Sequence, residues 1–269
     1  MTRRLCIFAH YDAQGEIKPF VVYYLRKLRE VCGDLVFVSV SNPSSTELRK
    51  LDGIASSCLF RENVGYDFAM WRLGVSQTDL AGYDELLLTN SSVFGPLWPL
   101  ESVFERMAGV PCDIWGMTDN GEIAWHLQSY FLVFRRQIIE SEAFRSFWAS
   151  VLPYQNKTQV IRSYEIGLSI FFKEQGFHLV SLVKVDDLYR SSSRIRLWKP
   201  GSRKNPTCSK GLALIDAGMP LVKVELFRDN PLGVDLRPVR HAIERTGYDL
   251  DLLVYDRPRH AKAVQNDSA

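Results

Sequence analysis

The feature that most constrains the fold of this chain is an alternation of short apolar runs with segments of helical periodicity. Val21, Tyr24, Leu25 and Leu28, for example, recur at helical spacing soon after the first apolar run. An alternation of strands and helices predicts a mostly parallel sheet with helices on both faces. The strands predicted in the first half are residues 5–9, 35–40, 58–60 and 85–89, and the helices are residues 21–28, 68–75 and 100–107.

The second half of the chain is less regular. Residues 123–134 form a long aromatic-rich segment, which favours a mixed or antiparallel strand. Residues 191–206 are rich in Ser, Arg, Lys and Pro and predict a mobile loop. We place the principal domain at residues 1–233 and a basic C-terminal extension, partly helical and then disordered, at residues 234–269. The remaining predicted elements are a strand at 179–183, an extended segment at 220–227, and helices at 137–150, 158–174, 212–217 and 238–245.

Composition and charge argue against several classes of protein. Hydrophobic residues make up 46% of the chain and charged residues 24%, which is typical of a globular protein. With 33 Lys and Arg against 31 Asp and Glu, the charge is too balanced for a dedicated nucleic-acid binder. The five cysteines are scattered without metal-binding spacing, as in a reduced cytosolic protein. We find no signal-peptide or membrane-spanning pattern in the sequence and expect a cytoplasmic protein.

Three polar loops follow predicted strands, and open α/β sheets bind ligands at such carboxyl ends. Their side chains and backbone amides could hold the base, ribose and diphosphate of a nucleotide. An ordinary turn is the simpler interpretation of the first loop alone, and a helix cap is the simpler one for Asp67 alone. Neither a P-loop nor a dinucleotide-binding glycine motif is present. The candidate residues are His10, Tyr11 and Asp12 in the first loop, Arg61, Asn63, Gly65 and Asp67 in the second, and Asn90, Ser91 and Ser92 in the third.

Two further features of the second half suggest chemistry. His126, Gln128 and Tyr130 occupy alternate positions, which in a strand lie on one face. A polar, aromatic face suits a sugar, although a core strand with one hydrogen-bonded histidine is nearly as good an explanation. Glu165 lies in an otherwise apolar helix, where a partly buried carboxylate can act as a general base. A solvent-facing glutamate is the commoner case.

Taken together, these segments resemble the rhamnan synthesis protein F family, glycosyltransferase-like proteins of bacterial polysaccharide assembly. The resemblance covers roughly residues 4–233 and rests on several distinct motifs in one order. The motifs are HYD at 10–12, RENVGYDF at 61–68, NSSVFGP at 90–96, WGMT at 115–118, HLQSYFLVF at 126–134, YEIGL at 164–168, NPT at 205–207 and KVELFRDNP at 223–231.

The resemblance implies an α/β fold of the GT-A kind, with a Rossmann-like donor half and an acceptor half around a mixed, mostly parallel central sheet. It implies a hexosyltransferase that moves rhamnose or another hexose from a nucleotide-sugar donor to a growing surface polysaccharide, such as O-antigen, rhamnan or capsule. The acceptor would be a lipid-linked glycan. The position of Glu165, in a helix after the acceptor strand, is similar to that of the catalytic acidic residue in many such enzymes, so we predict that Glu165 is the base. The three loops are predicted to bind the donor, and His126, Gln128 and Tyr130 are predicted to bind the acceptor.

Enzymes of this kind often use Mn²⁺ or Mg²⁺ to neutralise the departing nucleoside diphosphate. The family usually has Asn-Asp-Ser where this chain has Asn90, Ser91 and Ser92, so the expected metal-binding carboxylate is absent. Asp67 could bind the metal instead, basic side chains could neutralise the diphosphate, or the activity could be impaired. The basic side chains considered are Arg203, Lys204, Lys223 and Arg228.

The sequence leaves other functions open. The replacement at Ser91 also suits a non-catalytic protein that binds carbohydrate or nucleotide sugar in the same pathway. A nucleotide-dependent hydrolase unrelated to glycans would leave the polar, aromatic segment at 126–130 unexplained. The basic C-terminal extension could dock on the anionic inner face of the cytoplasmic membrane, although a solvated helix is the simpler explanation. No nucleic acid is expected as a partner.

Overall fold

One mixed β-sheet organises the molecule. In this computed structural model, residues 2–190 and 205–255 are described. The main sheet has the strand order β3-β2-β1-β4-β8-β6-β7, with β9 paired to β6, and β5 pairs with β10 in a separate two-stranded sheet. The strands are β1 (Arg4–His10), β2 (Asp34–Ser39), β3 (Ser57–Phe60), β4 (Glu85–Asn90), β5 (Val93–Phe94), β6 (Ile114–Asn120), β7 (His126–Leu127), β8 (Phe131–Arg135), β9 (Leu179–Val183) and β10 (Val222–Lys223).

The first half of the main sheet is parallel. Strands β3, β2, β1 and β4 run in the same direction, as their alternation with helices predicts. Strand β8 is antiparallel to both β4 and β6, whereas β6 and β9 are parallel. The carboxyl ends of β1 to β4 therefore lie at one edge of the sheet, where the three polar loops meet.

Both faces of the sheet are buried. In β1, Cys6 and Phe8 join one apolar cluster, while Leu5 and Ile7 join another. Because neither face meets water, these strands are continuously apolar rather than alternating. The predicted fold class, a mixed and mostly parallel sheet with helices on both faces, is confirmed.

The helices follow the apolar periodicity of the sequence. The first helix begins at Pro19, where a missing N–H group costs little, and buries Val21, Tyr24, Leu25 and Leu28 as their spacing predicts. The α-helices are α1 (Pro19–Val31), α2 (Ser45–Leu48), α3 (Tyr66–Gln77), α4 (Leu100–Ala108), α5 (Arg136–Ile139), α6 (Glu142–Ser150), α7 (Lys157–Val160), α8 (Gly167–Glu174), α9 (Val185–Arg190), α10 (Pro206–Ser209), α11 (Gly211–Asp216), α12 (Val224–Arg228) and α13 (Arg237–Glu244). Two 3₁₀ turns (Arg49–Leu51 and Leu250–Leu252) and one π-helical turn (Ile161–Ile166) complete the described elements.

Two predicted segments have a different secondary structure from the one predicted. The helix predicted at 137–150 is two helices, α5 and α6, because the Ser141 side chain caps α6 by accepting a hydrogen bond from Phe144 N at 3.1 Å. The extended segment predicted at 220–227 becomes helical at Val224. Only its first part is extended, as the short strand β10 paired with β5.

Two other segments are interrupted. The segment at 123–134 is antiparallel, as predicted, but the chain turns between β7 and β8 instead of forming one strand. The helix predicted at 158–174 contains the π-helical turn between α7 and α8, and Glu165 lies in that turn. Residues 191–204 of the predicted loop lie outside the described residues.

The C-terminal segment packs on the same core. Val239 and Ile243 of α13 are buried, and the Tyr248 hydroxyl accepts a hydrogen bond from Gly95 N at 3.3 Å. The helix predicted at 238–245 is therefore present as α13. Residues 256–269 lie outside the described part of the chain. Across the described ranges, no helix combines the length and apolarity that a bilayer crossing requires.

Candidate donor-binding and catalytic site

Two adjoining cavities open at the carboxyl ends of β1 and β2. The larger has a volume of about 470 Å³ and the smaller about 320 Å³. Tyr11, Val40 and Asn63 line both, so the cavities share a wall. Tyr66 and Gln155 also line the larger cavity. Two aromatic rings with nearby amide groups form a concave site that suits a nucleoside.

The first and third polar loops are neighbours because β1 and β4 are parallel, with Ala9 opposite Asn90. Ser91 N donates a hydrogen bond to Ala9 O at 3.1 Å, and Tyr11 N donates to Ser91 Oγ at 3.4 Å. A third cavity of about 180 Å³ lies here, with His10, Tyr11 and Ser91 in its lining. The structure thus brings both loops to one cleft.

His10 and Asp12 have structural partners within this cleft. The His10 side chain is buried, and its Nδ1 lies 3.0 Å from Ser39 Oγ. Burial lowers the pKa of His10 to about 4, so its ring is neutral near pH 7. Asp12 Oδ1 accepts hydrogen bonds from Gln14 N and Glu16 N, both at 2.9 Å. Asp12 therefore shapes its own turn, as the simpler interpretation of this loop predicted.

The second polar loop forms a wall of the larger cavity. The Arg61 guanidinium donates a hydrogen bond to Val64 O and so braces its own loop. Gly65 has a φ of +89°, and a Cβ atom there would lie 2.6 Å from Ala69 Cβ, so only glycine fits without rearrangement. Tyr66 follows with a φ of 54°, which bulky residues rarely adopt. This backbone places the first residues of α3 in the cavity wall.

A chain of hydrogen bonds connects the second and third loops to β10. Asn90 Nδ2 donates to Asp67 Oδ2 at 2.8 Å, and Ser92 Oγ donates to Asn90 Oδ1 at 2.6 Å. Lys223 Nζ donates in turn to Ser92 Oγ at 2.9 Å. The Asp67 side chain therefore binds Asn90 instead of capping α3, which corrects the simpler interpretation of that residue.

Glu165 belongs to the same group of residues. Its Oε1 accepts a hydrogen bond from Ser129 N at 3.2 Å, in the turn between β7 and β8. Its charge acts on both Asp67 and Lys223. The structure therefore brings the predicted base into the neighbourhood of the predicted donor residues, and it does so from a π-helical turn, a feature that often marks functional sites. We call Asp67, Asn90, Ser92, Glu165 and Lys223 the cleft cluster.

Burial perturbs the acid–base behaviour of the cleft cluster. Burial raises the pKa of Asp67 to about 6, and the charge of Glu165 adds to this effect while Lys223 and Asn90 oppose it. Burial lowers the pKa of Lys223, and the nearby carboxylates of Glu165, Asp67 and Glu225 oppose that change. An acid and a base whose pKa values both shift towards neutrality, within one chain of hydrogen bonds, are typical of a functional site.

The structure corrects the predicted acceptor face. Tyr130 is only 1% exposed, and its hydroxyl lies 2.8 Å from Thr118 Oγ1, so its ring offers no surface to a sugar. Gln128 is buried and accepts a hydrogen bond from the same Thr118 hydroxyl at 2.8 Å. His126 is also buried, with Nδ1 2.8 Å from Ala124 O. The prediction assumed one uninterrupted strand, whereas the chain turns here and these polar groups are satisfied internally.

Tyr66 and Gln155 gain a place in the site that sequence reasoning did not give them, and the structure favours Lys223 among the basic candidates. Lys223 was one of four basic candidates, and its position in an otherwise apolar run was the available signal. The backbone strain at Tyr66 and the cavity position of Gln155 have no counterpart in the sequence pattern. Of the other candidates, Arg228 pairs with Asp229 at 2.7 Å and lines the third cavity together with Ser91. Residues 203 and 204 lie outside the described part of the chain.

The arrangement does not fit a bound divalent cation. Within residues 2–190 and 205–255, no group of three or more His, Cys, Asp or Glu could hold a metal ion. Asp67 Oδ2 already accepts from Asn90, and the Asn90 carbonyl oxygen accepts from Ser92. The Lys223 ammonium adds positive charge near both carboxylates and would repel a second cation. The Mn²⁺ or Mg²⁺ site predicted at Asp67 therefore gains no support from this geometry.

The fold and the cavities define an α/β protein with a candidate ligand site at the carboxyl ends of its parallel strands. The chain belongs to the rhamnan synthesis protein F family, whose family model matches residues 35–266. The resemblance seen in the sequence motifs is thereby confirmed.

Individual relatives are more distant. The chain is similar to virulence protein VirA of Vibrio anguillarum, with 28% identity over 195 residues that cover 64% of this chain and 62% of VirA. It is similar to the uncharacterized protein y4gN of Sinorhizobium fredii, with 26% identity over 199 residues, 72% of this chain and 52% of that protein. The matches span less than two thirds of either relative's own length. Among solved structures, a putative glucose-1-phosphate thymidylyltransferase from Bacillus anthracis has a TM-score of 0.47 at 9% identity, over 76% of this chain and 100% of that chain.

Proposed function

We propose that this chain is a glycosyltransferase that moves a hexose from a nucleotide-sugar donor to a growing bacterial surface polysaccharide. Its family, named for rhamnan synthesis, supports a role in polysaccharide assembly. The observation that carries the proposal is the position of the cleft cluster. Asp67 lines the larger cavity and is also hydrogen-bonded into that cluster, so binding space and acid–base groups are continuous.

The two adjoining cavities would take the nucleoside of the donor. Tyr11 is 53% exposed and Tyr66 is 41% exposed, and both residues line the larger cavity, where an aromatic base could stack on their rings. Asn63 lines both cavities and offers an amide for hydrogen bonding. A nucleoside held there would direct its diphosphate and sugar towards Asp67 and the rest of the cleft cluster.

Glu165 would act as the general base. Ser129 N holds one of its carboxylate oxygens, and among the described residues the other oxygen has no hydrogen-bond partner. That oxygen would accept the proton of the acceptor hydroxyl while the hydroxyl oxygen bonds to the anomeric carbon of the donor. The bond from that carbon to the diphosphate breaks in the same step, and its electron pair leaves with the diphosphate.

Turnover of nucleotide sugars by the E165Q variant tests this proposal. Purified protein would be supplied with dTDP-, UDP- and GDP-sugars, and release of nucleoside diphosphate would be followed. Removing the base should lower kcat by about 10²–10⁴-fold, as is usual for a general base. Glu174 is exposed near the end of α8, so E174Q is a matched control that should retain activity. Equal rates for E165Q and the unchanged protein would refute the role of Glu165.

A second candidate function is a protein that binds nucleotide sugar or glycan without turnover. Ser91, at the position where the family usually has an acidic residue, is the observation that favours it. In that case nucleotide sugars would raise the melting temperature while no nucleoside diphosphate is released, and E165Q would change neither quantity.

A lipid-linked acceptor and docking on the membrane are parts of this proposal. A lipid-linked glycan would bring its hydroxyl to Glu165 from the inner face of the membrane. Helix α13 buries Val239 and Ile243 and exposes Arg237 and Arg240, so its outer face could meet anionic headgroups. Cosedimentation with phosphatidylserine vesicles, compared for the unchanged protein and a double Arg→Glu variant at those two positions, tests this docking. Equal binding by both proteins would contradict it.

A further inference from the structure

Lys223 is held in the cleft cluster by three features of the fold. It lies in β10 and pairs with Val93 of β5, the strand that directly follows the third polar loop. Its ammonium donates to Ser92 Oγ at 2.9 Å and stands 4.8 Å from the centre of the buried Tyr130 ring. The Tyr130 that was expected to bind sugar thus supports this cation instead. The position of the ammonium is therefore set by strand pairing, a hydrogen bond and an aromatic ring.

The ammonium has unused binding capacity. A lysine can donate three hydrogen bonds, and among the described residues Lys223 makes only the one to Ser92. Asp67 and Glu165 act on its charge, yet neither forms an ion pair with it within 4.0 Å in the described part of the chain. A half-buried cation with free N–H donors, close enough to interact with Asp67 in the wall of the larger cavity, is suited to an additional anionic partner.

The charge of this group is also appropriate for a diphosphate. A carboxylate that holds a divalent cation has one net positive charge, and a lysine has the same charge without any metal. A metal-dependent site would need a carboxylate in the third loop, but the loop has Ser91 and Ser92 there, and Ser92 binds Lys223. The chain therefore has the components of a site in which a lysine replaces the metal.

We propose that the Lys223 ammonium neutralises the diphosphate of the donor, so that sugar transfer by this chain needs no divalent cation. The inference rests on the transferase function proposed above. When the bond between the anomeric carbon and the diphosphate oxygen breaks, the electron pair stays on that oxygen. Lys223 keeps its proton and donates hydrogen bonds to the oxygen as its negative charge develops.

Binding in the absence of metal tests the inference without requiring turnover. UDP, dTDP and GDP are titrated into the protein in excess EDTA, and binding is followed by calorimetry and by melting temperature. At least one of them should bind, and its affinity should change less than twofold when Mn²⁺ replaces EDTA. K223M should weaken binding of that nucleotide in EDTA by at least tenfold. Lys27 pairs with Glu30 on α1, so K27M is a control that loses a lysine outside the cleft and should bind normally.

Turnover provides the second measurement. Release of nucleoside diphosphate from the matching sugar should be unchanged by EDTA, and K223M should lower kcat by about 10²–10³-fold, as for loss of a charge-stabilising donor. Circular dichroism would establish that K223M is folded, and the EDTA comparison on the unchanged protein needs no variant. Binding or turnover that requires Mn²⁺ or Mg²⁺ would overturn the inference but leave the transferase proposal standing. Absence of nucleotide binding with and without metal would overturn both.

Discussion

Asp67 allows a quantitative prediction about stability. Burial raises its pKa from an ordinary value of 3.8 to about 6 in the folded protein. Each pKa unit corresponds to about 1.4 kcal/mol, so the ionised carboxylate destabilises the fold by at most about 3 kcal/mol above pH 6. Asp67 is half-buried, and solvent screening reduces this figure to about 1–2 kcal/mol. D67N, which keeps the shape of the neutral acid, should therefore be more stable than the unchanged protein near neutral pH.

The sign of the pH dependence follows from proton binding. Between pH 3.8 and about 6 the folded protein holds a proton on Asp67 that the unfolded chain has released. The contribution of Asp67 to stability consequently falls as the pH rises through that window and is fully unfavourable above it. The gain from D67N should be complete at pH 7.5 and absent at pH 3.5.

Urea unfolding and thermal melts of the two proteins at both pH values measure this difference. At pH 7.5 the expected gain of about 1–2 kcal/mol corresponds to a rise in Tm of about 2–8 °C. His10 and the other titrating groups are shared by both proteins, so their effects cancel in the comparison. Asp52 is exposed on the surface, so D52N should change stability by no more than about 0.5 kcal/mol. A D67N protein that is no more stable at pH 7.5, or whose gain grows as the pH falls, would refute the reasoning.

Two other substitutions test the geometry of the site. G65A adds a Cβ atom 2.6 Å from Ala69 Cβ and 2.7 Å from Pro153 Cα at a φ of +89°, so chemical denaturation should show a loss of about 2–4 kcal/mol. Its control G53A has a φ of +74° but no heavy atom within 4 Å and should lose only about 1 kcal/mol, and equal losses would remove the steric argument. Y130F deletes a buried hydroxyl hydrogen bond and should cost about 1 kcal/mol of stability without changing the KM for the glycan acceptor. A large rise in that KM would restore Tyr130 as an acceptor-binding residue.

The parallel half of the sheet could be predicted from the sequence because its strands are buried on both faces. Such strands are continuous apolar runs, and β1, β2 and β4 occur within a residue or two of their predicted positions. Two-residue strands such as β5 and β10 have no periodicity to detect. The break before α6 depends on a single side chain, Ser141, whose capping role is visible only when the helix direction is known.

The meeting of the three polar loops at one edge of the sheet could be anticipated for a topological reason. Loops after parallel strands meet at one edge, which is why Tyr11 lines all three cavities, with Asn63 in two of them and Ser91 in the third. Lys223 reaches Ser92 across a separation of 131 residues, and no local pattern predicts such a contact. The acceptor face predicted around Tyr130 failed because residue alternation has meaning only in an unbroken strand.

The measurement that tests the central claim most directly is nucleotide-sugar binding by the unchanged protein and by N63A. Thermal shift against dTDP-, UDP- and GDP-sugars would be recorded with and without Mn²⁺, since a ligand that binds the folded state raises its Tm. One nucleotide class should raise Tm, and N63A should weaken that binding because Asn63 lines both cavities. If no nucleotide sugar raises Tm under either condition, the cleft does not bind a nucleotide-sugar donor and the proposed function is wrong.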